Sequence, residues 1–225
     1  MRIKFLGGCR EVGISAVVVD DILLDYGFKP SHPIQYPLHA TTNEVLLSHA
    51  HLDHSGLLPN LAERNAIAYM TPPTKELAVF LAYDTLRVAG KRKEKPPFSE
   101  SALRKMEKRT KLVGYKRKVY VGEYGATFYD ASHIPGSSSI YLEGEKTLFY
   151  CGDVNPTQTR LLRKMNSSFP RSDVLIIEST YFGTNHTPRF DLEIKFVDSI
   201  METLDNGGHA IIPCFAVGRT QEILL

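Results

Sequence analysis

Cysteine is scarce in this sequence, and long apolar runs are absent. Only three cysteines occur among 225 residues, and no two of them form a CxxC pair. An odd and dispersed set argues against a disulfide framework and indicates a reducing compartment. No apolar run approaches the length that spans a bilayer, and the N-terminus lacks the apolar centre of a signal peptide. We therefore expect a cytoplasmic protein that has no membrane partner.

The remaining composition is ordinary for a globular protein. Hydrophobic residues make up 43% of the chain and charged residues 23%, and this length suffices for one large or two modest domains. The sequence contains neither an internal repeat nor a low-complexity tract. The chain is therefore expected to bury a real core.

Positive charge is concentrated in one segment. The net charge is +2, but residues 87–118 contain thirteen Lys or Arg and only three Glu, so the rest of the chain is acidic. A basic segment beside an acidic body could bind a polyanion. Charge alone more often marks a solvated helical face, and both interpretations stay open at this point.

Short apolar runs that end in polar turns predict a chain rich in strands. The predicted strands are 2–6, 15–20, 22–26, 44–48, 118–121, 126–130, 138–142, 147–151, 173–178 and 209–213. Helices are predicted from a Thr71 cap to Gly90, from Ser99 to about Leu112, and from Asp191 to Asn206. Residues 220–225 predict the first turn of another helix, which is too short to be stable alone. We therefore expect the chain to be a fragment of a longer protein.

The main chemical signal is the segment 48–56, which directly follows an apolar strand and reads SHAHLDHSG. Side chains alternate along a strand, so His49 and His51 should point to the same side. A following turn can bring Asp53 and His54 back to a neighbouring point. Two such groups of imidazole and carboxylate ligands suit two borderline metal ions. The HxHxDH pattern therefore predicts a metal centre.

Two residues after this motif and one before it fit the same centre, and each lies at the end of a predicted strand. His133 lies in a turn after one strand, and Asp153 follows another with two oxygens that could bridge two cations. Asp25 could accept the outward N–H of a ligand histidine. Alone, His133 and Asp153 would be weak signals, since such residues often belong to turns. Beside HxHxDH, they predict further members of the metal centre. For Asp25, an ordinary turn aspartate stays open as the alternative.

In this order, the motifs resemble the metallo-β-lactamase fold and its nucleic-acid-processing branch, the β-CASP nucleases. Residues 6–13 (LGGCREVG) resemble the opening of that fold, and 49–54 match its signature motif. Residues 178–181 (ESTY) resemble the acidic motif that opens the β-CASP part, and 213–222 (PCFAVGRTQE) a loop and helix start further along. The resemblance extends over nearly the whole chain. Within this branch, the sequence is similar to archaeal cleavage and polyadenylation specificity factor homologues and to ribonuclease J.

The resemblance implies an α/β fold, a metallo-β-lactamase αββα sandwich, over residues 1–180, and the start of an inserted β-CASP domain over 181–225. It implies two Zn²⁺ ions, although Mn²⁺ or Fe would suit the same ligand atoms. A first ion would be held by three histidines and a second by an aspartate and a histidine, with a bridging aspartate. In that order the ligands are His49, His51 and His133, then Asp53 and His54, then Asp153. The family's two further histidines have no match before the chain ends.

The implied activity is hydrolysis of RNA by a metal-activated water, in RNA 3′-end processing or decay. Asp53 is expected to accept a proton as well as bind metal, Asp25 to orient a ligand, and Glu178 to orient a histidine beyond the chain. Single-stranded RNA is the expected partner, in a homodimer or a larger RNA-processing complex. The residues expected to contact RNA are Arg87, Lys91, Arg92, Lys93, Arg104, Lys105 and Arg219.

Two other functions compete with the ribonuclease. A small-molecule metallo-hydrolase acting on a thioester or lactam would use the same ligands, although the basic segment favours nucleic acid. A non-catalytic RNA-processing subunit would keep the fold but lose ligands, and here all six available positions are filled. The sequence leaves endonucleolytic and 5′-exonucleolytic cleavage open.

Overall fold

The structure is a computed structural model that describes residues 1–165 and 168–225. The strands of the first sheet are β1 (Ile3–Gly7), β2 (Ala16–Val19), β3 (Ile22–Leu24), β4 (Glu44–Leu46), β5 (Ile67–Met70) and β6 (Thr110–Leu112), and they neighbour one another in that order. Those of the second sheet are β7 (Lys118–Val121), β8 (Tyr124–Asp130), β9 (Ser138–Glu143), β10 (Thr147–Tyr150) and β11 (Val174–Ile176), also in chain order. The expected α/β fold with two sheets is confirmed.

The two sheets pack face to face because their strands alternate strictly. In β2, Val17 and Val19 face the second sheet, whereas Ala16 and Val18 face the opposite side. The same period of two continues through β3, β4 and β5 and places every other side chain in the core between the sheets. Phe128 of β8 is a fully buried member of that core.

Helices cover the outer face of the first sheet. They are α1 (Leu52–Ser55), α2 (Leu58–Glu63), α3 (Pro72–Arg92) and α4 (Glu100–Lys108). The predicted cap of α3 is confirmed, since the Thr71 hydroxyl accepts from Thr74 N, and Ser99 caps α4 in the same way. Small residues on α3, such as Ala78 and Ala82, let the helix approach the sheet closely.

Gly90 offers a small test of the helical layer. It lies near the end of α3, and an added Cβ would meet no atom within 4 Å. Gly90→Ala is therefore expected to raise the free energy of unfolding by about 0.5–1 kcal/mol, because alanine loses less backbone entropy in a helix. Urea denaturation checks this. Gly122→Ala is the control, since that site is equally open but has φ +55, and there a loss of stability is expected.

The outer face of the second sheet is covered differently. Phe149 packs there against Phe169, with 4.9 Å between ring centroids. Two helices follow, α5 (Arg189–Asp205) and α6 (Arg219–Leu224), and α5 has no buried residue. Its apolar positions remain exposed along one stripe with spacings of three and four, namely Phe190, Ile194, Val197, Met201 and Leu204. Of the helices in residues 1–165 and 168–225, none is long and apolar enough to cross a bilayer.

One predicted helix end and one predicted strand are wrong. The helix from Ser99 ends at Lys108 rather than near Leu112, because Thr110–Leu112 pairs with β5 and extends the sheet. Residues 209–213 form no strand. Ile211 in that stretch is 90% exposed, and a strand needs a neighbour to pair with and to pack against.

Candidate metal centre

The predicted ligands follow strands that end at one edge of the sandwich. β3 and β4 are parallel in the first sheet. β8 and β10 share one direction in the second sheet because both are antiparallel to β9. The two edges meet, as Ser138 N donates to Ser48 O at 2.8 Å. Residues that follow all four strands therefore converge, although they are far apart in sequence.

Four of these side chains form a compact ligand group. One ligand atom each from His49, His51, His133 and Asp153 lies within 4.8 Å of the others. His51 Nδ1 is 3.1 Å from both His49 Nε2 and His133 Nε2. Asp153 Oδ2 is 3.5 Å from His133 Nε2 and 3.9 Å from His49 Nε2. Nitrogen ligands of a tetrahedral zinc ion, at bonds of about 2.0–2.1 Å, are separated by about 3.3–3.4 Å.

The outer hydrogen bonds fix where the protons of two of these rings lie. Ser48 Oγ donates its only proton to Asp25 Oδ2 at 2.6 Å, so it accepts from His49 Nδ1 at 3.0 Å. The carbonyl of Val217 can only accept, so His51 donates to it through Nε2 at 3.2 Å. With both rings neutral, the lone pairs of His49 Nε2 and His51 Nδ1 therefore point at each other. A cation between the two nitrogens satisfies both, so these residues fit a metal ion.

A second group lies beside the first and shares Asp153. His54 Nε2 is 3.4 Å from Asp153 Oδ1 and 3.8 Å from Asp53 Oδ2. The two oxygens of Asp153 thus face the two groups separately. Ser15 Oγ also lies 3.3 Å from His54 Nε2. All six sequence-predicted ligand residues are therefore brought to one place.

Asp25 connects the two groups through hydrogen bonds on their buried side. Its side chain is fully buried, and its Oδ2 accepts from His54 Nδ1 at 2.7 Å and from Tyr150 OH at 2.7 Å as well as from Ser48. Its Oδ1 accepts from Ser48 N at 2.7 Å. One carboxylate therefore orients His54 directly and His49 through Ser48, as expected for an outer partner of a metal site.

Burial keeps two of the first-group histidines neutral. It lowers the pKa of His49 well below its usual value, and the neighbouring histidines His54, His133 and His51 lower it further. Burial likewise lowers the pKa of His133 to about 4, against the opposing charge of Asp153. Both rings therefore keep a free lone pair near neutral pH, which a metal ligand requires.

The second group holds negative charge instead. Burial would raise the pKa of Asp153, but the hydrogen bond and charge of His54, with His133 and His51, bring it to about 2. Burial would lower the pKa of His54, but Asp153 and Asp25 together raise it well above its usual value. The carboxylates that favour a proton on His54 Nε2 equally favour a cation at that nitrogen.

Two glycines let the backbones approach each other at this centre. A Cβ at Gly27 would lie 1.9 Å from the carbonyl carbon and oxygen of Asp53, and one at Gly152 would lie 2.8 Å from Ser48 Cβ. Gly152 also has φ +59, which glycine adopts without strain. Side chains at either position would push the ligand-bearing segments apart.

Glu178 and Arg219 lie in the C-terminal part of the chain. Glu178 follows β11 and accepts from Thr180 N at 2.9 Å. Within the part of the chain that the structure describes, no hydrogen bond joins Glu178 to the ligand histidines. Arg219 is exposed and begins α6.

Residues 87–92 of the basic segment lie at the end of α3 that points away from the ligand group. α3 starts beside it, where Thr74 Oγ1 donates to Gly136 O at 2.8 Å. At about 1.5 Å per residue, Arg87 lies about 20 Å and Arg92 about 27 Å further along the helix. Two of the predicted RNA contacts are paired on their own helices, Arg87 with Asp84 and Arg104 with Glu100.

Sequence reasoning missed four participants. Ser48 and Tyr150 bind Asp25, Ser15 approaches His54, and the Val217 carbonyl binds His51. Tyr150 carries a signal, since a hydroxyl at the end of an otherwise apolar buried strand requires a partner. Nothing local marks Val217, which contacts a residue 166 positions earlier.

Comparison with known proteins identifies a family and several relatives. The family described as "Beta-lactamase superfamily domain" matches residues 18–193. The chain is 38% identical to "Probable RNase MJ4" of Methanocaldococcus jannaschii, over 100% of the chain and 56% of the relative. It is 36% identical to "RNase aCSPSF2" of Saccharolobus solfataricus, over 99% of the chain and 47% of the relative. It is 33% identical to "Transcription termination factor FttA" of Pyrococcus abyssi, over 100% of the chain and 39% of the relative.

The fold also matches a solved structure. A protein of unknown function from Enterococcus faecalis superposes with a TM-score of 0.56 at 16% identity, over 89% of this chain and 57% of that one. At this identity the match concerns the fold alone. The chain spans about half the length of three curated relatives that it matches, from 47% to 56%.

Proposed function

Because the chain belongs to the β-lactamase superfamily, in its β-CASP branch, we propose that its protein is a metal-dependent ribonuclease that hydrolyses RNA phosphodiester bonds. The observation that carries the proposal is the 3.1 Å contact between His49 Nε2 and His51 Nδ1, in two rings whose other nitrogens both have hydrogen-bond partners. The names of the relatives, which include two RNases, support RNA as the substrate.

The proposed site takes two cations, with Zn²⁺ favoured by the ligand atoms. The first would be held by His49, His51 and His133, and the second by Asp53 and His54, with Asp153 between them. Bound there, divalent cations supply a water nucleophile near neutral pH and neutralise charge on the phosphate oxygens.

The chain's own residues supply orientation and proton transfer. Asp25 holds a proton of His54 on Nδ1, and Ser48 holds that of His49 on Nδ1, so both Nε2 atoms face the proposed cations. At His54, the cation would replace the second proton that the neighbouring carboxylates favour on Nε2. Asp53 has 31% of its side chain exposed and lies 3.8 Å from His54. A carboxylate at this depth can accept a proton from a water at the centre and release it to solvent.

The remaining roles belong to the same proposal. The exposed faces of α5 support a domain boundary near residue 180, with a second domain beginning at 181. Glu178 would then orient a group supplied by that domain. Lys91, Arg92 and Lys93 would contact the RNA backbone far from the cleaved bond, which suits a long substrate.

A substrate comparison tests the function. The natural full-length protein is incubated with 5′-labelled single-stranded RNA and, separately, with a thioester and a lactam. We expect RNA cleavage that falls to background after chelation and dialysis and returns when Zn²⁺ or Mn²⁺ is added. Thioester or lactam hydrolysis with intact RNA would instead establish a small-molecule hydrolase. RNA cleavage that persists after complete metal removal would overturn the proposal.

A further inference from the structure

The loop that precedes α6 reaches back onto the ligand group. We call residues 213–219 the 213–219 loop. Its Val217 carbonyl accepts from His51 Nε2 at 3.2 Å, and the ring of Phe215 lies 6.0 Å from the His51 ring, between centroids. This loop belongs to the C-terminal part of the chain, whose α5 has no buried side chain. The contact with His51 therefore joins the C-terminal part of the chain to the ligand group.

The side chain of Val217 packs into the hydrophobic core. It is 7% exposed and belongs to the core on the helical side of the first sheet, together with Ile134. The next residue, Gly218, has φ +91, and an added Cβ there would lie 2.7 Å from Ile134 Cγ2. Ile134 directly follows the ligand His133. The loop thus packs closely against the segment that carries another ligand.

The side chain of Gln221 forms hydrogen bonds with the loop backbone on both sides of Val217. Its Oε1 accepts from Gly218 N at 2.7 Å, and its Nε2 donates to Ala216 O at 2.9 Å. The Val217 carbonyl lies between these two anchored peptide groups. The loop is therefore held in one conformation by side-chain hydrogen bonds rather than by a sheet.

The helix behind the loop is anchored as well. Glu222 accepts from Leu161 N at 2.9 Å and from Arg160 N at 2.5 Å, and it pairs with Arg189 at the start of α5. The side chain of Glu222 is 8% exposed. These contacts hold α6, which directly follows the loop, against residues 160 and 161 and against the start of α5.

The chemical consequence concerns the proton of His51. A neutral imidazole carries one proton on one of its two nitrogens. A hydrogen-bond acceptor beside one nitrogen keeps the proton there and leaves the lone pair on the other nitrogen. The Val217 carbonyl holds the proton on Nε2 and leaves the lone pair on Nδ1, the atom that faces His49 and His133. Without that acceptor, the proton can occupy Nδ1 and block ligation.

We propose that Val217 is a positioning residue for the first cation, and that the 213–219 loop couples the C-terminal part of the chain to the affinity of that site. The proposal rests on the proposed metal centre. It means that a displacement of the loop would weaken cation binding through His51.

Two variants of the full-length protein test this proposal. Gly218→Ala moves the loop, since the added Cβ conflicts with Ile134, and Gln221→Met removes both anchoring hydrogen bonds at similar side-chain length. Gly207→Ala is the control, because it has φ +72 but no atom within 4 Å of its added Cβ. Zn²⁺ affinity is measured by competition with a chromophoric chelator. The His51 tautomer is measured by ¹⁵N NMR on the metal-free protein, with the signal assigned through His51→Ala.

We expect about tenfold weaker Zn²⁺ binding in Gly218→Ala and Gln221→Met, the lower part of the range for outer partners of metal ligands. Their His51 signals should show loss of the pure Nε2–H form, and Gly207→Ala should match the parent in both measurements. Parent-like affinity and an unchanged His51 signal in both variants would overturn the coupling. A parent that binds no cation would instead overturn the proposed metal centre, while the metal-free spectra would still test the role of Val217.

Discussion

His133→Ala is expected to weaken binding of the first cation by more than about 100-fold and to reduce RNA cleavage to background. Outer partners of metal ligands typically contribute about 10–100-fold in affinity, and a direct ligand contributes more. The side chain of His133 is 28% exposed, so the free energy of unfolding should change by less than about 1 kcal/mol. Isothermal titration with Zn²⁺, beside urea denaturation, separates the loss of a ligand from the loss of the fold.

His39→Ala is the matched control for this variant. His39 is an exposed histidine that contacts Arg64 and lies outside the ligand group. The control should bind Zn²⁺ and cleave RNA like the parent. Parent-like affinity in His133→Ala would show that His133 is not a ligand.

Asp25→Asn is expected to lower the free energy of unfolding by about 3–5 kcal/mol, the usual cost of breaking a buried charged network. The new amide can still accept from Ser48 N, but its NH₂ replaces the oxygen on which Ser48 Oγ, His54 Nδ1 and Tyr150 OH converge. The new NH₂ group and the Nδ1–H of His54 are both donors, and this conflict ends only if His54 carries its proton on Nε2. A rotated Ser48 hydroxyl would likewise donate to His49 Nδ1 and move that proton to Nε2. Both metal groups should therefore lose affinity together with the stability.

Asp20→Asn is the control, measured by the same urea denaturation. Asp20 has a similar backbone, with φ +49 against +58 at Asp25, and also accepts from a backbone N–H and a tyrosine hydroxyl. Its side chain is 36% exposed, so water can replace the lost partner and the cost should be about 1 kcal/mol. Equal costs at the two positions would refute the network at Asp25.

Much of the ligand group could be predicted because its signals are local. His49 and His51 follow a buried strand, and a period of two fixes their common side. His133 and Asp153 also follow strands, and the direction of those strands brings them to the same edge. The fold class followed from the same alternation, which sends one face of each strand to the other sheet and one face to the helices.

The parts that could not be predicted depend on distant partners. Nothing near Thr110 indicates a strand, and only pairing with β5 makes Thr110–Leu112 one. The proton positions of His49 and His51 depend on Asp25 and Val217, which the sequence does not connect to them. The distance of Arg87 and Arg92 from the ligand group likewise follows from the direction of α3, which charge counting does not contain.

The position of a bound cation tests the central claim most directly. Crystals of the protein grown with Zn²⁺ would give diffraction data on both sides of the zinc absorption edge. We predict an anomalous peak at bonding distance from His49 Nε2, His51 Nδ1 and His133 Nε2, with an oxygen of Asp153 beside it. A peak bonded to His51 through Nε2, or no peak within this group, would contradict the account.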